Sequence, residues 1–118
     1  MSRYPGMDCR DPEYMDVQKE IIMLKQPCVY MLASKKNGTL YIGVTSNLIN
    51  RVYQHRMELV EGFTKRYGIH DLVWYEAHEI MESAIQREKQ LKNWSRRAKI
   101  ILLEKTNPDW HDLWLDLV

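Results

Sequence analysis

Cysteine is scarce in this chain, with only Cys9 and Cys28 present. Neither belongs to a Cys-x-x-Cys pair or to a His/Cys cluster at zinc spacing, so we expect reduced thiols rather than a disulfide or a zinc site. The sequence also lacks an apolar run of the roughly 18–20 residues that cross a bilayer. No positively charged segment followed by an apolar stretch marks a signal peptide at the N-terminus. These absences together predict a cytoplasmic protein.

An excess of charge of one sign is also lacking, because 17 Lys and Arg residues nearly balance 16 Asp and Glu residues. Taken alone, this balance argues against a strongly electrostatic nucleic-acid binder. The charge is nevertheless segregated, because residues 83–105 contain seven basic and two acidic residues. The flanking segments, 67–82 and 106–118, contain no Lys or Arg. Lys92, Arg96 and Arg97 are therefore candidate nucleic-acid contacts, with a solvated helix face as an equally good explanation.

The 118 residues are enough for one domain. We divide them into an N-terminal extension, 1–26, expected to be partly disordered apart from a short helix over 17–25, and a folded part, 27–118. Apolar periodicity and turn signals predict the order strand, strand, helix, strand, helix, helix. The predicted bounds are 29–34, 39–44, 48–60, 71–77, 81–94 and 96–105, with a loop over 63–68 and an apolar tail over 110–117. This order predicts an α+β domain in which helices pack on one small antiparallel sheet.

Single residues refine the predicted helices. Ser46 or Asn47 can cap the first helix, which is expected to bury Leu59 near its end. The second helix is expected to bury Ile85. Ser95 can cap the third helix.

Two tyrosines on facing strands are the most informative chemical feature of the sequence. Asn37-Gly38 between two apolar, β-prone runs is the strongest short-range hairpin signal, and such a hairpin brings Tyr30 and Tyr41 together. A phenol can act as base or proton relay in phosphodiester hydrolysis if a nearby cation or metal lowers its pKa. A single strand tyrosine usually only packs, but two of them beside an Arg/His helix face favour a catalytic site.

The helix after the hairpin places Arg51 and His55 on one face, because they are four residues apart. Arg51 offers a planar fork for two phosphate oxygens, and His55, expected to titrate near neutrality, can relay a proton or orient a tyrosine hydroxyl. An exposed arginine and a partly buried histidine are the structural alternatives. Glu88 is expected on the core side of its helix, where a carboxylate with waters can bind Mg²⁺. Pairing with Lys92, four residues later, is the competing interpretation.

As a set, these motifs resemble the GIY-YIG endonuclease superfamily, and its small single-domain bacterial members in particular. The resemblance covers roughly residues 27–110. It rests on Cys28-Val29-Tyr30 at the first motif, Tyr41-Ile42-Gly43 at the second, Arg51-x-x-x-His55, and the run Arg87-Glu88-Lys89-Gln90-Leu91-Lys92-Asn93-Trp94. It implies a three-stranded antiparallel sheet between helices. The first-motif glycine is Cys28 in this chain, but the motif tyrosine is kept.

The resemblance also implies a role for each candidate residue of the hairpin and the helix after it. Tyr30 and Tyr41 would be the motif tyrosines, one of them acting as or assisting the general base. Arg51 would stabilise the phosphate, and His55 would support proton transfer.

Further along the chain, the resemblance implies that Glu88 binds one divalent ion, Mg²⁺ or Mn²⁺. Asn107 is similar to a late asparagine that lies near the scissile phosphate in many members. The implied function is metal-dependent hydrolysis of DNA, structure-selective or weakly specific, in DNA repair or turnover. Because the extension is not basic, target specificity would come from the nuclease surface or from a protein partner, or would be low.

Two other function classes compete with a nuclease. A nucleic-acid-binding module with little or no cleavage predicts binding that weakens steeply with salt. An interaction or scaffold domain is suggested by Trp110, Trp114 and Leu117, which fall on one helical face if the tail is helical. These three residues would either close the core of a monomer or form the contact of a weak homodimer.

Overall fold

The computed structural model describes residues 26–117, so the predicted helix over 17–25 and nearly all of the predicted extension lie outside the described residues. The described part is an α+β domain, as predicted. Its elements in chain order are β1 (Cys28–Ala33), β2 (Leu40–Thr45), α1 (Leu48–Arg56), α2 (Phe63–Arg66), β3 (Asp71–Ala77), α3 (Met81–Lys92), α4 (Arg96–Glu104) and α5 (Trp114–Leu117). No helix in this range is long and apolar enough to cross a membrane.

The three strands form one antiparallel sheet in the order β2-β1-β3. The central strand, β1, is buried along its whole length. Tyr30 lies opposite Gly43 of β2 and opposite Tyr75 of β3. The three-stranded antiparallel sheet that the resemblance implies is therefore present.

The sheet separates two apolar clusters, because successive side chains along β1 point to opposite faces. One cluster joins β1 to α3 and α4 and includes Val29 and Leu91. The other joins β1 and β3 to α1 and includes Tyr30 and Val52. The face of the sheet that α1 covers is therefore the face that carries the first motif tyrosine.

The β1–β2 hairpin turns at Asn37-Gly38, as predicted. The Gly38 N–H donates to the carbonyl oxygen of Lys35 at 2.9 Å, and Asn37 adopts a φ of 60°, which asparagine tolerates better than most residues. Arg96, at the start of α4, donates from Nη2 to the carbonyl oxygens of Asn37 and Gly38 at 2.9 and 2.6 Å. The turn is therefore tied to α4.

The first helix is shorter than predicted, because α1 ends at Arg56. Its start agrees with the prediction, since the Asn47 side chain accepts a backbone N–H of the first turn at 3.0 Å. Glu58 has a φ of 55°, which cannot continue a right-handed helix. Leu59, predicted to be buried in this helix, is therefore outside it and 64% exposed.

Two further predictions need correction. The predicted loop over 63–68 contains the short helix α2. Ile85, predicted to be buried, is 36% exposed, because α3 packs on the sheet through Ala84 and Leu91 instead. The Ser95 cap of α4 is as predicted, with its side chain accepting a backbone N–H at 3.1 Å.

The apolar tail packs on the domain as predicted, but it does not present one helical face. Trp110 has a φ of 57°, which breaks the helical period, and it is buried in the cluster beside α3 and α4. Trp114 and Leu117 pack against the cluster on the other side of the sheet. Asp112 anchors the tail by pairing with Arg56 and by accepting a backbone N–H of β3 at 3.1 Å.

Candidate active site

Tyr30 and Tyr41 lie on the same face of the sheet, on neighbouring strands. The register pairs Tyr30 with Gly43, two residues along β2 from Tyr41, so both tyrosine side chains point towards α1. Their ring centroids are 6.4 Å apart, and the two rings lie 6.0 and 5.5 Å from the ring of His55. The hairpin and α1 therefore bring these three predicted site residues together.

Gly43 makes room for the ring of Tyr30. A Cβ atom at position 43 would lie 2.4 Å from Cζ and from the hydroxyl oxygen of Tyr30, whereas carbon atoms pack at about 3.5–4.0 Å. The phenol end of Tyr30 therefore lies directly over the backbone of β2, which only glycine permits here.

His55 is buried, and each of its ring nitrogens has a hydroxyl partner. Nε2 lies 3.2 Å from the hydroxyl oxygen of Tyr30, and Nδ1 lies 2.9 Å from Oγ1 of Thr64. His55 is 1% exposed and Thr64 is 3% exposed. A chain of polar groups thus runs from the sheet through α1 to α2. The sequence analysis missed Thr64, because one threonine in a segment without apolar periodicity gives no signal.

Burial raises the pKa of Tyr30 to about 12. The Arg51 guanidinium lowers this pKa, and the charges of Tyr41 and Glu88 raise it, but burial is the largest effect. The lowered pKa that a phenol base requires is therefore not present in the protein without substrate and metal ion.

Burial lowers the pKa of His55 to about 4, and the charges of Arg51 and His70 add to the effect. The expectation that His55 titrates near neutrality is therefore wrong, and the imidazole is neutral at pH 7. A neutral imidazole has one N–H donor and one lone pair. It can accept a hydrogen bond from one hydroxyl partner while it donates to the other.

Arg51 is partly exposed on α1, one turn before His55. Its Nη1 donates to Oε1 of Gln54 at 3.3 Å. This contact uses one of the five N–H donors of the guanidinium. The fork that can hold two phosphate oxygens is therefore not consumed by it.

Glu88 lies on the core side of α3, as predicted, because it follows Ala84 by one turn and precedes Leu91 by one turn. Its side chain is 16% exposed, and Oε1 lies 3.3 Å from Nζ of Lys92. The competing ion pair with Lys92 is therefore present, and the role of Glu88 as a metal ligand stays a prediction. The carboxylate turns inward, where its charge acts on Tyr30, and it also pairs with Lys92.

The donor set for a divalent cation is small. Within residues 26–117, no three His, Cys, Asp or Glu side chains converge on a point where they could hold a metal ion. Mg²⁺ needs no such cage, since one or two carboxylates, several waters and the substrate phosphates usually complete its shell. Glu88 is a largely buried carboxylate, which is the kind of ligand this pattern requires, so it could hold the ion in place of Lys92.

The three predicted nucleic-acid contacts have different surroundings. Lys92 pairs with Glu88, and Arg97 is exposed on α4. Arg96 donates to the carbonyl oxygens of the hairpin turn and lines a groove with that turn and Lys99. Arg96 therefore stabilises the hairpin turn, and its contact with nucleic acid stays a prediction.

Asn107 is buried and holds the turn after α4. Its Nδ2 donates to the carbonyl oxygens of Val73 and His111 at 3.0 and 2.9 Å, and its Oδ1 accepts from the His111 N–H at 2.9 Å. A contact with a scissile phosphate would require some of these bonds to break. The structure thus gives Asn107 a structural role, and its catalytic role stays a prediction.

A comparison with known protein families gives a match that covers most of the chain. Residues 26–101 match the family described as the GIY-YIG catalytic domain. This range includes the candidate site residues Tyr30, Tyr41, Arg51, His55 and Glu88. It ends before Asn107.

Small bacterial proteins named UPF0213 are similar to this chain. One from Pediococcus pentosaceus is 35% identical over 86 residues, which are 73% of this chain and 90% of that protein. One from Staphylococcus haemolyticus is 31% identical over 77 residues, which are 65% of this chain and 93% of that protein. The solution NMR structure of a UPF0213 protein from Bacillus halodurans aligns at a TM-score of 0.48 and 28% identity, over 74% of this chain and 92% of that one. None of these names states an activity.

Proposed function

The chain belongs to the GIY-YIG catalytic domain family, and from this membership we propose that it is an endonuclease that hydrolyses DNA phosphodiesters with one divalent metal ion. We propose that it is structure-selective or weakly specific and acts in DNA repair or turnover. The family supports nuclease chemistry in general. The observation that carries the finer proposal is the cluster of Tyr30, Tyr41 and His55, and the charges of Arg51 and Glu88 act on the pKa of Tyr30.

In the proposed reaction, a water oxygen forms a bond to phosphorus while the bond to the leaving sugar oxygen breaks. Tyr30 takes a proton from the water as its own proton passes to Nε2 of His55, 3.2 Å away. Because the pKa of Tyr30 is about 12, a free phenolate is rare at neutral pH, so the two transfers occur together. The leaving oxygen takes a proton from solvent.

The substrate itself helps His55 to accept that proton. In the protein alone, burial makes the imidazolium costly and keeps the pKa of His55 low. A bound phosphodiester brings negative charge, which favours the charged ring and raises this pKa. Arg51 stabilises the charge that develops on the phosphate oxygens, and Tyr41, packed against His55, holds the ring in place.

Glu88 is the proposed ligand of the divalent ion, Mg²⁺ or Mn²⁺, with waters and phosphate oxygens as the other ligands. When bound, the ion supplies positive charge to the phosphate and to the leaving oxygen. The Glu88 side chain breaks its 3.3 Å ion pair with Lys92 to take this role. The Lys92 ammonium is then available to a DNA phosphate.

The proposal is tested by incubating the purified protein with supercoiled plasmid and with a branched DNA, in Mg²⁺, in Mn²⁺ and in EDTA. We expect the wild type to nick at least one DNA when metal is present and neither in EDTA. Glu88→Ala and Tyr30→Phe should each lose nicking while remaining folded. Glu82→Ala removes an exposed carboxylate from the first turn of the same helix and should nick as the wild type does. Nicking at the wild-type rate by both site variants would refute the assignment.

A nucleic-acid-binding module with little or no cleavage is the second candidate, and the basic residues of α3 and α4 favour it. The proposed contacts are Lys92, Arg96 and Arg97. Each phosphate that these residues neutralise releases counterions, so affinity should fall steeply with salt. Binding without nicking in any metal would select this candidate.

The proposed partner is DNA, bound by a monomer or a weak homodimer. Packing of Trp114 and Leu117 on the domain accounts for the apolar tail without a dimer. Specificity would come from the nuclease surface or from a protein partner. Sedimentation over a range of concentrations tests the oligomeric state, since a mass that does not change with concentration argues against the dimer.

A further inference from the structure

We propose that Thr64 is a positioning residue of this active site, which acts through His55 by fixing which ring nitrogen carries the proton. The inference rests on the function proposed above, since it assigns a part in that reaction. Thr64 lies in α2, outside every motif that the sequence analysis identifies.

Thr64 is held firmly where its hydroxyl meets the ring of His55. Its side chain is 3% exposed, whereas those of Phe63 and Lys65 on either side are exposed. Its backbone carbonyl accepts the N–H of buried Ile69 at 2.9 Å. Oγ1 lies 2.9 Å from Nδ1 of His55, so a well-placed hydroxyl contacts the nitrogen that does not face Tyr30.

Two arrangements of protons are consistent with the contact between Thr64 and Nδ1. If Thr64 accepts a hydrogen bond from Nδ1–H, then Nε2 keeps a lone pair that accepts the Tyr30 hydroxyl. If Thr64 instead donates to Nδ1, then Nε2–H donates to the Tyr30 oxygen, and the ring cannot take the phenol proton.

The first arrangement is the one that suits the reaction. Once His55 has accepted the proton from Tyr30, both of its nitrogens carry hydrogen and can only donate. Thr64 must then accept, and in the first arrangement it already does. The bond at Nδ1 therefore needs no change during proton transfer, and the positive ring finds its partner in place.

Two substitutions separate the hydroxyl of Thr64 from its volume. Thr64→Val keeps the branched shape and removes the hydroxyl, whereas Thr64→Ser keeps the hydroxyl. In Thr64→Val, a buried Nδ1–H without a partner is costly, so the proton should move to Nε2. The ¹⁵N NMR signals of the His55 ring report which nitrogen carries hydrogen, in the free protein and without any cleavage assay. We expect Nδ1–H in the wild type and in Thr64→Ser, and Nε2–H in Thr64→Val.

Kinetics provide the second readout. Loss of a partner that orients a catalytic histidine should lower kcat by roughly 10- to 100-fold in Thr64→Val, with KM for DNA unchanged. Thr64→Ser should recover most of the lost kcat. In a His55→Gln background, Thr64→Val should add no further loss, because Thr64 acts only through His55.

The inference is overturned if the wild-type ring carries its proton on Nε2, or if Thr64→Val changes neither the tautomer nor kcat. A loss of kcat that Thr64→Ser shares, with the tautomer unchanged, would show a merely structural role and would also overturn it. If the wild type cleaves no DNA, the proposed function fails, but the ring tautomers still decide the role of Thr64.

Discussion

Replacing Gly43 by alanine should displace the ring of Tyr30 and disrupt its hydrogen bond with His55. A Cβ at position 43 would lie 2.4 Å from Cζ and from the hydroxyl oxygen of Tyr30, so the phenol end has to move by about 1–1.5 Å to reach a normal contact. The hydroxyl now lies 3.2 Å from Nε2 of His55, and a shift of this size along that line, in either direction, takes the pair outside the normal range of hydrogen-bond distances. A misplacement of about 1 Å can cost on the order of 10²-fold in rate, and overpacking costs about 1–3 kcal/mol of folding free energy.

Two measurements separate the catalytic cost of Gly43→Ala from its folding cost. One is the rate of plasmid nicking well below the unfolding temperature, and the other is the free energy of unfolding from a denaturant titration. Val44→Ala is the matched control, because Val44 is the next residue of β2 and packs on the opposite face of the sheet. We expect both variants to lose stability and only Gly43→Ala to lose activity. Turnover at the wild-type rate by a folded Gly43→Ala protein would refute the reasoning.

The pKa of His55 in the folded protein is about 4, below the ordinary value of 6.5. As the pH falls, the unfolded chain therefore binds a proton at His55 before the folded protein does. The free energy of unfolding should then drop by up to about 3 kcal/mol from pH 7 to pH 4. Urea titrations of wild type and His55→Gln check this, and parallel pH profiles would contradict it. Asn107→Ala leaves three backbone groups without their partner and should lower the free energy of unfolding by about 2–4 kcal/mol. A variant that is as stable as the wild type and has lost only activity would instead support the catalytic role of Asn107. Arg97→Ala should reduce the slope of log affinity for DNA against log salt by about one. Arg96→Ala should also lower the melting temperature, because it releases the hairpin turn. A melting temperature of Arg96→Ala equal to that of the wild type would count against that contact.

The parts of the fold that the sequence predicts are those with local causes. Asn37-Gly38 sets the hairpin and Asn47 caps α1, and both signals depend on residues that are neighbours in the chain. The end of α1 depends on a φ of 55° at Glu58, a conformation that glutamate rarely adopts and that no neighbour in the sequence indicates. The positive φ of Trp110 likewise breaks a helical period that the sequence alone supports.

In the candidate site, too, features with local causes can be predicted from the sequence and features that depend on tertiary packing cannot. The proximity of Tyr30 and Tyr41 follows from the alternation of side chains on paired strands, which a sequence pattern can reveal. The low pKa of His55 and the high pKa of Tyr30 follow from burial, which arises only when α1 packs on the sheet. Thr64 reaches His55 across nine positions of chain through the packing of α2, and no spacing rule predicts that contact.

The single-turnover cleavage rate of wild type and Tyr30→Phe in saturating Mg²⁺ tests most directly the claim that the Tyr30–His55 pair performs phosphodiester hydrolysis. Phenylalanine keeps the buried ring and removes the hydroxyl that lies 3.2 Å from Nε2. We predict a loss of roughly 10²–10⁴-fold in the cleavage rate, with the affinity for DNA unchanged. Cleavage by Tyr30→Phe at the wild-type rate would contradict the claim.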